Sequence, residues 1–408
     1  MDNIKQKILI ALVEGNFCKK VIAKIDHELA LFMRKFLSQK SKIENNKIMF
    51  MTFQNDYACN PKYIAEEIIK QGLPYDLVWV VKNGAKIKEH FPKSIRLVER
   101  NSYDFYKEAI SSKIWIDNAI NFFYEEVPKK NEQVLINTWH GSMGLKRVGK
   151  DDNKNKKWVR MAERCDIDTD YCISDSEFES EVYRETYWPN VEILNYGHPR
   201  NDIFINTKKD FKEYIKEKIC AYFEIKTTSK IALYAPTFRD AHNIDCYDLD
   251  YDMLHDSLTK RFGGEWVILV RHHFKLQNSK SATESIKNDN VLRATDYDDI
   301  QELMLVADIG ITDYSSWICD FVLTGKPGFI FATDLEEYNN ERGLYYPLEE
   351  TPFPIAKDNE IMKENILNFD DNKYEKMRLD FLKKRGCWEN GDAAIKTVEK
   401  IKEIIGVK

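Results

Sequence analysis

The chain has no excess of basic charge, no cysteine pair at metal-binding or redox spacing, no apolar run long enough to cross a membrane and no visible internal repeat. Each absence removes a class of function. A formal net charge of −6 argues against a general nucleic-acid binder. The eight cysteines (Cys18, Cys59, Cys165, Cys172, Cys220, Cys246, Cys319 and Cys387) are scattered, mostly within apolar segments. They read as reduced core residues of a cytosolic protein, not as a disulfide framework or a metal site. The first apolar run, Ile8 to Val13, is interrupted by Glu14 and Gly15, so neither a signal peptide nor a spanning helix is expected.

What remains is a chain of 408 residues, 43% hydrophobic and 12% aromatic, ample for packed cores. Its length suggests about two to three domains. The first forty residues differ from the rest: eight bases (Lys5, Lys7, Lys19, Lys20, Lys24, Arg34, Lys35, Lys40) face four acids (Asp2, Glu14, Asp26, Glu28) in an otherwise acidic chain. Val21, Ile22, Ile25, Leu29, Phe32, Met33 and Phe36 recur at helical spacing. Such a basic amphipathic helix suits an anionic membrane surface, and equally suits packing on the protein's own core.

Beyond residue 45, short apolar runs alternate with helical stretches, the pattern of parallel sheets covered by helices on both faces. Strands are expected at Ile48–Phe53, Leu77–Val81, Ile95–Val98, Ile114–Ile116, Val134–Thr138, Tyr171–Ser174 and Val191–Leu194, and a second series at Ile231–Ala235, Trp266–Val270, Val291–Ala294, Ile309–Thr312 and Phe329–Ala332. Between the series lies a charged, helical connector. The chain therefore divides into an N-terminal helical segment (1–42), a first doubly wound domain (43–205), a linker (206–229), a second doubly wound domain (230–370) and C-terminal helices (371–408). Ligands of such sheets bind beyond the carboxyl ends of the strands, and the polar motifs fall there.

The most informative stretch, Ala307 to Phe331, passes from an apolar strand into Asp313-Tyr314-Ser315-Ser316 and then into a helix that Lys326-Pro327-Gly328 ends. A helix start offers orphan N–H donors and partial positive charge to an anion, and Ser315 and Ser316 add hydroxyls. The plainer alternative is that Asp313 and Ser315 cap a structural helix. In the first half, the strand Val134–Thr138 runs into Trp139-His140-Gly141-Ser142-Met143-Gly144-Leu145-Lys146, placing a histidine at a strand end before glycines that permit close approach. This suits a general base, or a structural histidine. Residues 195–202, NYGHPRND, form a turn at Gly197 and Pro199 that an Arg200–Asp202 pair would hold; it either closes the first domain onto the cleft or is a surface turn.

The second domain opens with a strand leading to Pro236-Thr237-Phe238-Arg239-Asp240, where Arg239 offers a fork for phosphate oxygens or pairs with Asp240. The next strand ends in Arg271-His272-His273. Neighbours on an extended strand face opposite ways, so the two histidines do not easily share a zinc ion, and phosphate binding is the better reading. Arg239, Arg271, His273 and the Asp313–Ser316 turn at successive strand ends match what a pyrophosphate needs.

Taken together, TWHG at 138–141 with Lys146, GHPRND at 197–202, APTFRD at 235–240, RHH at 271–273, TDYSSWICDF at 312–321 and the Asp334–Tyr346 stretch with Arg342-Gly343 resemble the CDP-glycerol glycerophosphotransferase family of teichoic-acid primases and polymerases and related capsule polymerases. The resemblance spans about residues 134–346. It implies a GT-B architecture, two Rossmann-like domains facing across a cleft, the first for the acceptor and the second for the CDP-activated polyol. It further implies His140 as the base for the acceptor hydroxyl and His273 as a second catalytic group. Arg239, Arg271, Thr312, Asp313, Ser315 and Ser316 would lie at the donor phosphates, and Gly141, Lys146, His198, Arg200 and Asp202 in the acceptor site or cleft. An aromatic is expected where His198 stands, and the long N-terminal extension of large polymerases is lacking.

The leading expectation is thus a cytoplasmic enzyme, peripheral on the inner face of a bacterial membrane. It would move glycerol phosphate from CDP-glycerol to a hydroxyl of a membrane-linked glycan or polyol-phosphate acceptor, releasing CMP. Alternatives keep the fold with CDP-ribitol or a nucleotide sugar as donor, or make the chain a non-catalytic binding subunit. No cofactor, nucleic acid or metal is called for: the loops after the strands are read as free of an Asp-x-Asp pair, and basic groups with a helix start can neutralise a diphosphate. Asp151-Asp152 is read as a solvated pair in a lysine-rich loop, or one that faces the acceptor.

Overall fold

The structure is a computed structural model that describes residues 29, 31–53, 56–82, 91–120, 122, 127–148, 163, 165–237, 248–272, 290–341 and 343–406. Two parallel sheets form its frame. The first is built from β1 (Glu44–Met51), β2 (Asp76–Val81), β3 (Ile95–Glu99), β4 (Ser112–Asp117), β5 (Val134–Asn137), β6 (Tyr171–Ile173) and β7 (Glu192–Leu194), in the order β3-β2-β1-β4-β5-β6-β7. The second contains β8 (Lys230–Tyr234), β9 (Trp266–Val270), β10 (Val291–Arg293), β11 (Ile309–Thr312), β12 (Gly328–Phe331) and β13 (Ile355–Ala356), ordered β10-β9-β8-β11-β12-β13. All the strand pairs are parallel.

Both sheets thus follow the doubly wound order in which the chain first builds outward on one side and then crosses back. The reversal falls between β1 and β4 in the first sheet and between β8 and β11 in the second. The strands read as unbroken apolar runs because both faces are covered: β9 is buried throughout, and β1 from Lys47 onward. Trp79 and Phe50, fully buried, stack at 5.3 Å between ring centroids, each adding about 1.5–3 kcal/mol of burial. The twelve strands expected from sequence are present. The thirteenth, Ile355–Ala356, is two residues long and carries no periodicity to read.

Helices cover these sheets through their apolar stripes. The Cys59–Lys70 helix has Pro61 in its first turn and buries Ile64, Ala65 and Ile68 against the first sheet. The last helix, Ala393–Ile405, returns from the second half and places Val398 and Ile401 in that same core, so the chain's end closes the first domain. Near the N-terminus, residues 31–40 are helical. Leu29, Phe32, Met33 and Phe36 are exposed, at 58%, 64%, 47% and 45%, while Leu37 packs on the first domain's core and Arg34 lies over the Tyr106 ring at 4.2 Å. The described part of the apolar stripe, Leu29, Phe32, Met33 and Phe36, is therefore exposed, while Val21, Ile22 and Ile25 lie outside the described residues. The six described cysteines are free thiols, and Cys18 and Cys246 lie outside the described residues.

Candidate functional site

Each sheet presents the crevice at its reversal point to the cleft. At the first, β4 ends in Asp117, whose carboxylate accepts from the N–H groups of Ala119 and Phe122 at 2.9 and 3.3 Å and so shapes the following turn. This turn presents the Asn118 carbonyl to His140 Nδ1 at 2.6 Å, while Asn118 Oδ1 accepts from the Phe53 N–H at 2.9 Å. A carbonyl only accepts, so Nδ1 carries the proton and the basic lone pair is on Nε2. The Phe53 ring stacks on His140 at 5.1 Å and 13°, and Trp139 lies against its other neighbours Tyr187 and Trp188. His140 itself is exposed. Trp139 and Met143 both adopt the left-handed conformation, with φ of 48° and 46°, a cost of about 1–2 kcal/mol per residue that the packed Trp139 ring and Asn137, which accepts from the Trp139 N–H at 2.8 Å, hold in place.

At the second reversal point the furnishing is different. Thr312 Oγ1 donates to the Ala235 carbonyl at 2.8 Å, and the Asp313 carboxylate accepts from the Thr237 N–H at 2.8 and 3.0 Å, lacing the ends of β8 and β11 together. Trp317 Nε1 also donates to Ala235 O, at 2.8 Å. Ser315 and Ser316 lead into a helix of five residues, Trp317–Phe321, continued by a 3-10 turn, Val322–Thr324. So short a helix adds little macrodipole. The turn's resources for an anion are local N–H groups and hydroxyls, and Asp313 acts here as a lace between strands and not as a helix cap.

One loop runs from the first crevice to the second. After His140 the chain leaves the first domain, and Met143 and Leu145 are buried in the core of the second. There Lys146 pairs antiparallel with Leu344, Tyr345 N–H donates to Leu145 O at 3.0 Å, and Arg147 N–H to Gly343 O at 3.3 Å. Lys146 Nζ reaches Thr237 Oγ1 at 3.2 Å. Residues six apart in sequence therefore stand at the two different reversal points.

Beneath this loop lies Arg200, 2% exposed. It does not pair with Asp202, as expected from sequence, but with Asp320 through Nε and Nη2 at 3.0 and 3.2 Å, in the helix that follows Ser316. The same guanidinium donates to the Gly141 carbonyl. Asn60 binds both Thr138 O and the Arg200 N–H, so the segments around His140, Arg200 and Ser316 meet at one buried point. Asp202 instead caps the last helix, accepting from the Ala393 and Ala394 N–H groups at 3.0 and 2.8 Å. Residues 198–201 are buried, which excludes a surface turn. Gly197, at φ 84°, allows this packing: a Cβ there would lie 2.6 Å from a Glu389 carboxylate oxygen.

His198 is fully buried between Asp175 (3.6 Å) and Glu179 (3.3 Å), and burial together with the Arg200 charge lowers its pKa to about 4, so the ring is neutral. Burial and the neighbouring Glu179 raise Asp175 to about 7. Ligand atoms of Asp175, His198 and Asp320 lie within 4.8 Å of one another. Asp320, however, is held by Arg200 and Asn201, and Asp175 accepts from Ser142, Ser176 and the Met143 N–H, so both carboxylates are engaged by the protein, while the His198 ring nitrogens make no hydrogen bond.

Arg271 is half-buried, and its guanidinium donates to the carbonyls of Ala294, Tyr297 and Asp298, the first at 3.0 Å. His272 is buried, whereas Arg239, His273, Arg342 and Asp151-Asp152 lie outside the described residues. The expectation of no Asp-x-Asp pair after a strand is corrected by Asp296 and Asp298, which follow β10; Asp296 pairs with Arg293 at 3.3 Å. Phe53, Asn118, Thr237 and Asp320 were not singled out from sequence. Only Thr237 and Asp320, inside motifs, carried a signal.

Comparisons with known proteins bear on this arrangement. Residues 32–403 match the profile of the CDP-Glycerol:Poly(glycerophosphate) glycerophosphotransferase family. The chain is 32% identical to a teichoic acid poly(glycerol phosphate) polymerase of Staphylococcus epidermidis, over 87% of its own length and 50% of that protein, so it spans half of this relative. It is 27% identical to a teichoic acid glycerol-phosphate transferase of Staphylococcus aureus, over 87% of this chain and 92% of that one. The wall teichoic acid polymerase TagF, in a variant soaked with CDPG, superposes with a TM-score of 0.79 at 28% identity, covering 96% of this chain and 98% of that chain. With its two doubly wound domains and its strand-end motifs, the chain belongs to the CDP-glycerol:poly(glycerophosphate) glycerophosphotransferase family.

Proposed function

We propose that this chain transfers glycerol phosphate from CDP-glycerol to a hydroxyl of a membrane-linked glycan or polyol-phosphate acceptor in teichoic-acid-like synthesis. The observation that carries this reading is one exposed histidine, tautomer-fixed at the first reversal point, on a loop whose continuation reaches the second. The acceptor hydroxyl gives its proton to His140 Nε2 as its oxygen forms a bond to the donor's β-phosphorus. The bond from that phosphorus to the bridging oxygen breaks, and CMP leaves with the electron pair. Arg239 and His273 are proposed at the phosphates with Ser315 and Ser316. Arg271, engaged by backbone carbonyls, is assigned the shaping of that wall.

The test is CMP release from CDP-glycerol, CDP-ribitol and a UDP-sugar, with a lipid-linked disaccharide or glycerol-phosphate primer as acceptor. Acceptor-dependent release from CDP-glycerol alone is expected, and release from another donor overturns the substrate.

We further propose that the protein sits peripherally on the inner membrane face. None of the helices among the described residues is long and apolar enough to cross a membrane. Support comes from the uncovered Leu29, Phe32, Met33 and Phe36 on a basic helix. Flotation with anionic liposomes, with and without residues 1–42, checks this, and undiminished binding of the truncated chain contradicts it.

A further inference from the structure

The loop after His140 is tied to the first domain through Ser142 and the Met143 N–H, which bind Asp175, and beyond them packs on the second. Its apolar residues Met143 and Leu145 lie in the second core, and Tyr346 Oη donates to the Met143 carbonyl at 3.2 Å. Backbone hydrogen bonds to Gly343 and Tyr345 fix Lys146 in register. The lysine's side chain is half-buried, and Nζ ends at Thr237 Oγ1, on the segment that leaves β8. The Thr237 N–H is held by Asp313 on the segment that leaves β11. Lys146 therefore stands at the crevice between β8 and β11, the place where a doubly wound sheet takes its ligand, and not at the one between β1 and β4.

We propose that Lys146 is a ligand of the donor's diphosphate, supplied across the cleft by the segment that carries His140. An ammonium is a compact charge whose donors rotate to meet phosphate oxygens. Held here, it stabilises negative charge on the leaving CMP as the bond from phosphorus to the bridging oxygen breaks. Because His140 and Lys146 share one short loop, the base and the leaving-group cation move as a unit, and donor binding sets the position of the base. The proposal rests on the CDP-donor reading above. The same phosphate chemistry could be offered by a phosphorylated acceptor, and the experiment separates the two.

Titration calorimetry of the full-length wild type, Lys146→Met and Lys146→Arg with CDP and with cytidine, in the absence of any acceptor, reads the contribution directly. The side chain can be shortened without unfolding the loop, whose anchors are backbone groups; matching thermal melts check this. Lys146→Met is expected to weaken CDP binding about ten- to hundred-fold, the worth of a charge-assisted contact, while cytidine binding stays within about twofold and Lys146→Arg recovers most of the loss. CDP binding that Lys146→Met leaves intact overturns the proposal, most plainly if the KM for a phosphorylated acceptor rises instead. A wild type that binds CDP no better than cytidine defeats the donor reading and the proposal with it.

Discussion

The two reversal points have the same strand order but opposite contents. The first is furnished with rings and amides: His140 stacked on Phe53, backed by Trp139 and fixed by Asn118. The second is furnished with hydroxyls, a carboxylate lace and, from across the cleft, a lysine. One topology therefore carries two different sets of strand-end groups, which the proposed function assigns to proton acceptance on one wall and anion binding on the other, because ligands meet the loops at the strand ends and not the strands themselves. They are coupled by the loop 141–148, by the Arg200–Asp320 pair, and by Glu302 with Asp299, which hold Lys62 of the first domain at 2.9 and 2.6 Å while Glu302 also binds Lys218 of the connector helix Lys209–Phe223 at 2.6 Å.

The largest effect is expected on the first wall. His140→Ala should reduce acceptor-dependent CMP release by about 10²- to 10⁴-fold, as loss of a general base does; a rate near wild type breaks the division. Next comes the coupling. Arg200→Met leaves Asp320 buried without its charge partner and should destabilise the fold by about 3–5 kcal/mol in a urea titration. Arg200→Met combined with Asp320→Leu should be markedly less harmful, since removing both members of a buried pair is often near neutral. If the double variant is as unstable as the single, the pair is not what joins the domains.

A pH-dependent effect probes the buried cluster between them. In the unfolded chain the His198 imidazole holds a proton below about pH 6.5, whereas in the fold burial and Arg200 keep it neutral down to about 4. Between those values the unfolded state binds more protons, so this residue makes stability rise with pH, by at most about 3 kcal/mol. Asp175, raised to about 7, has the opposite slope in an overlapping window: the fold keeps its proton where the unfolded chain has lost it, so stability falls as pH rises. His198→Phe removes the first slope, and its melting temperature should fall further behind wild type as pH goes from 4 to 6.5. Parallel curves would show that the imidazole is not neutral in the fold. The smallest effect is expected at Asp202→Ala, which removes the cap of the Ala393–Ile405 helix and should cost about 0.5–2 kcal/mol with turnover of the folded enzyme unchanged.

Strand positions were legible because both sheet faces are buried, so each strand appears as a compact apolar run bounded by polar residues. The strand order was not legible, and the order decides which strand ends meet. Nothing in the sequence says that the turn after β4 lies under His140, so Asn118 and Phe53 went unnoticed although they orient its ring. Arg200 and Asp202 are neighbours that look like a pair, yet an arginine on a short helical turn reaches across the interface while the aspartate faces a helix N-terminus 191 residues on. Lys146 was grouped with His140 by proximity in sequence. The left-handed residues Met143 and Gly144 turn the loop between them, and that turn sends the two side chains to different walls.

The division between the walls is tested most directly by the affinity of His140→Ala for CDP-glycerol, measured by titration calorimetry beside wild type. The account predicts a Kd within about twofold of wild type in a variant that has lost turnover. A variant that loses donor binding in step with its rate would place His140 on the donor and contradict the account.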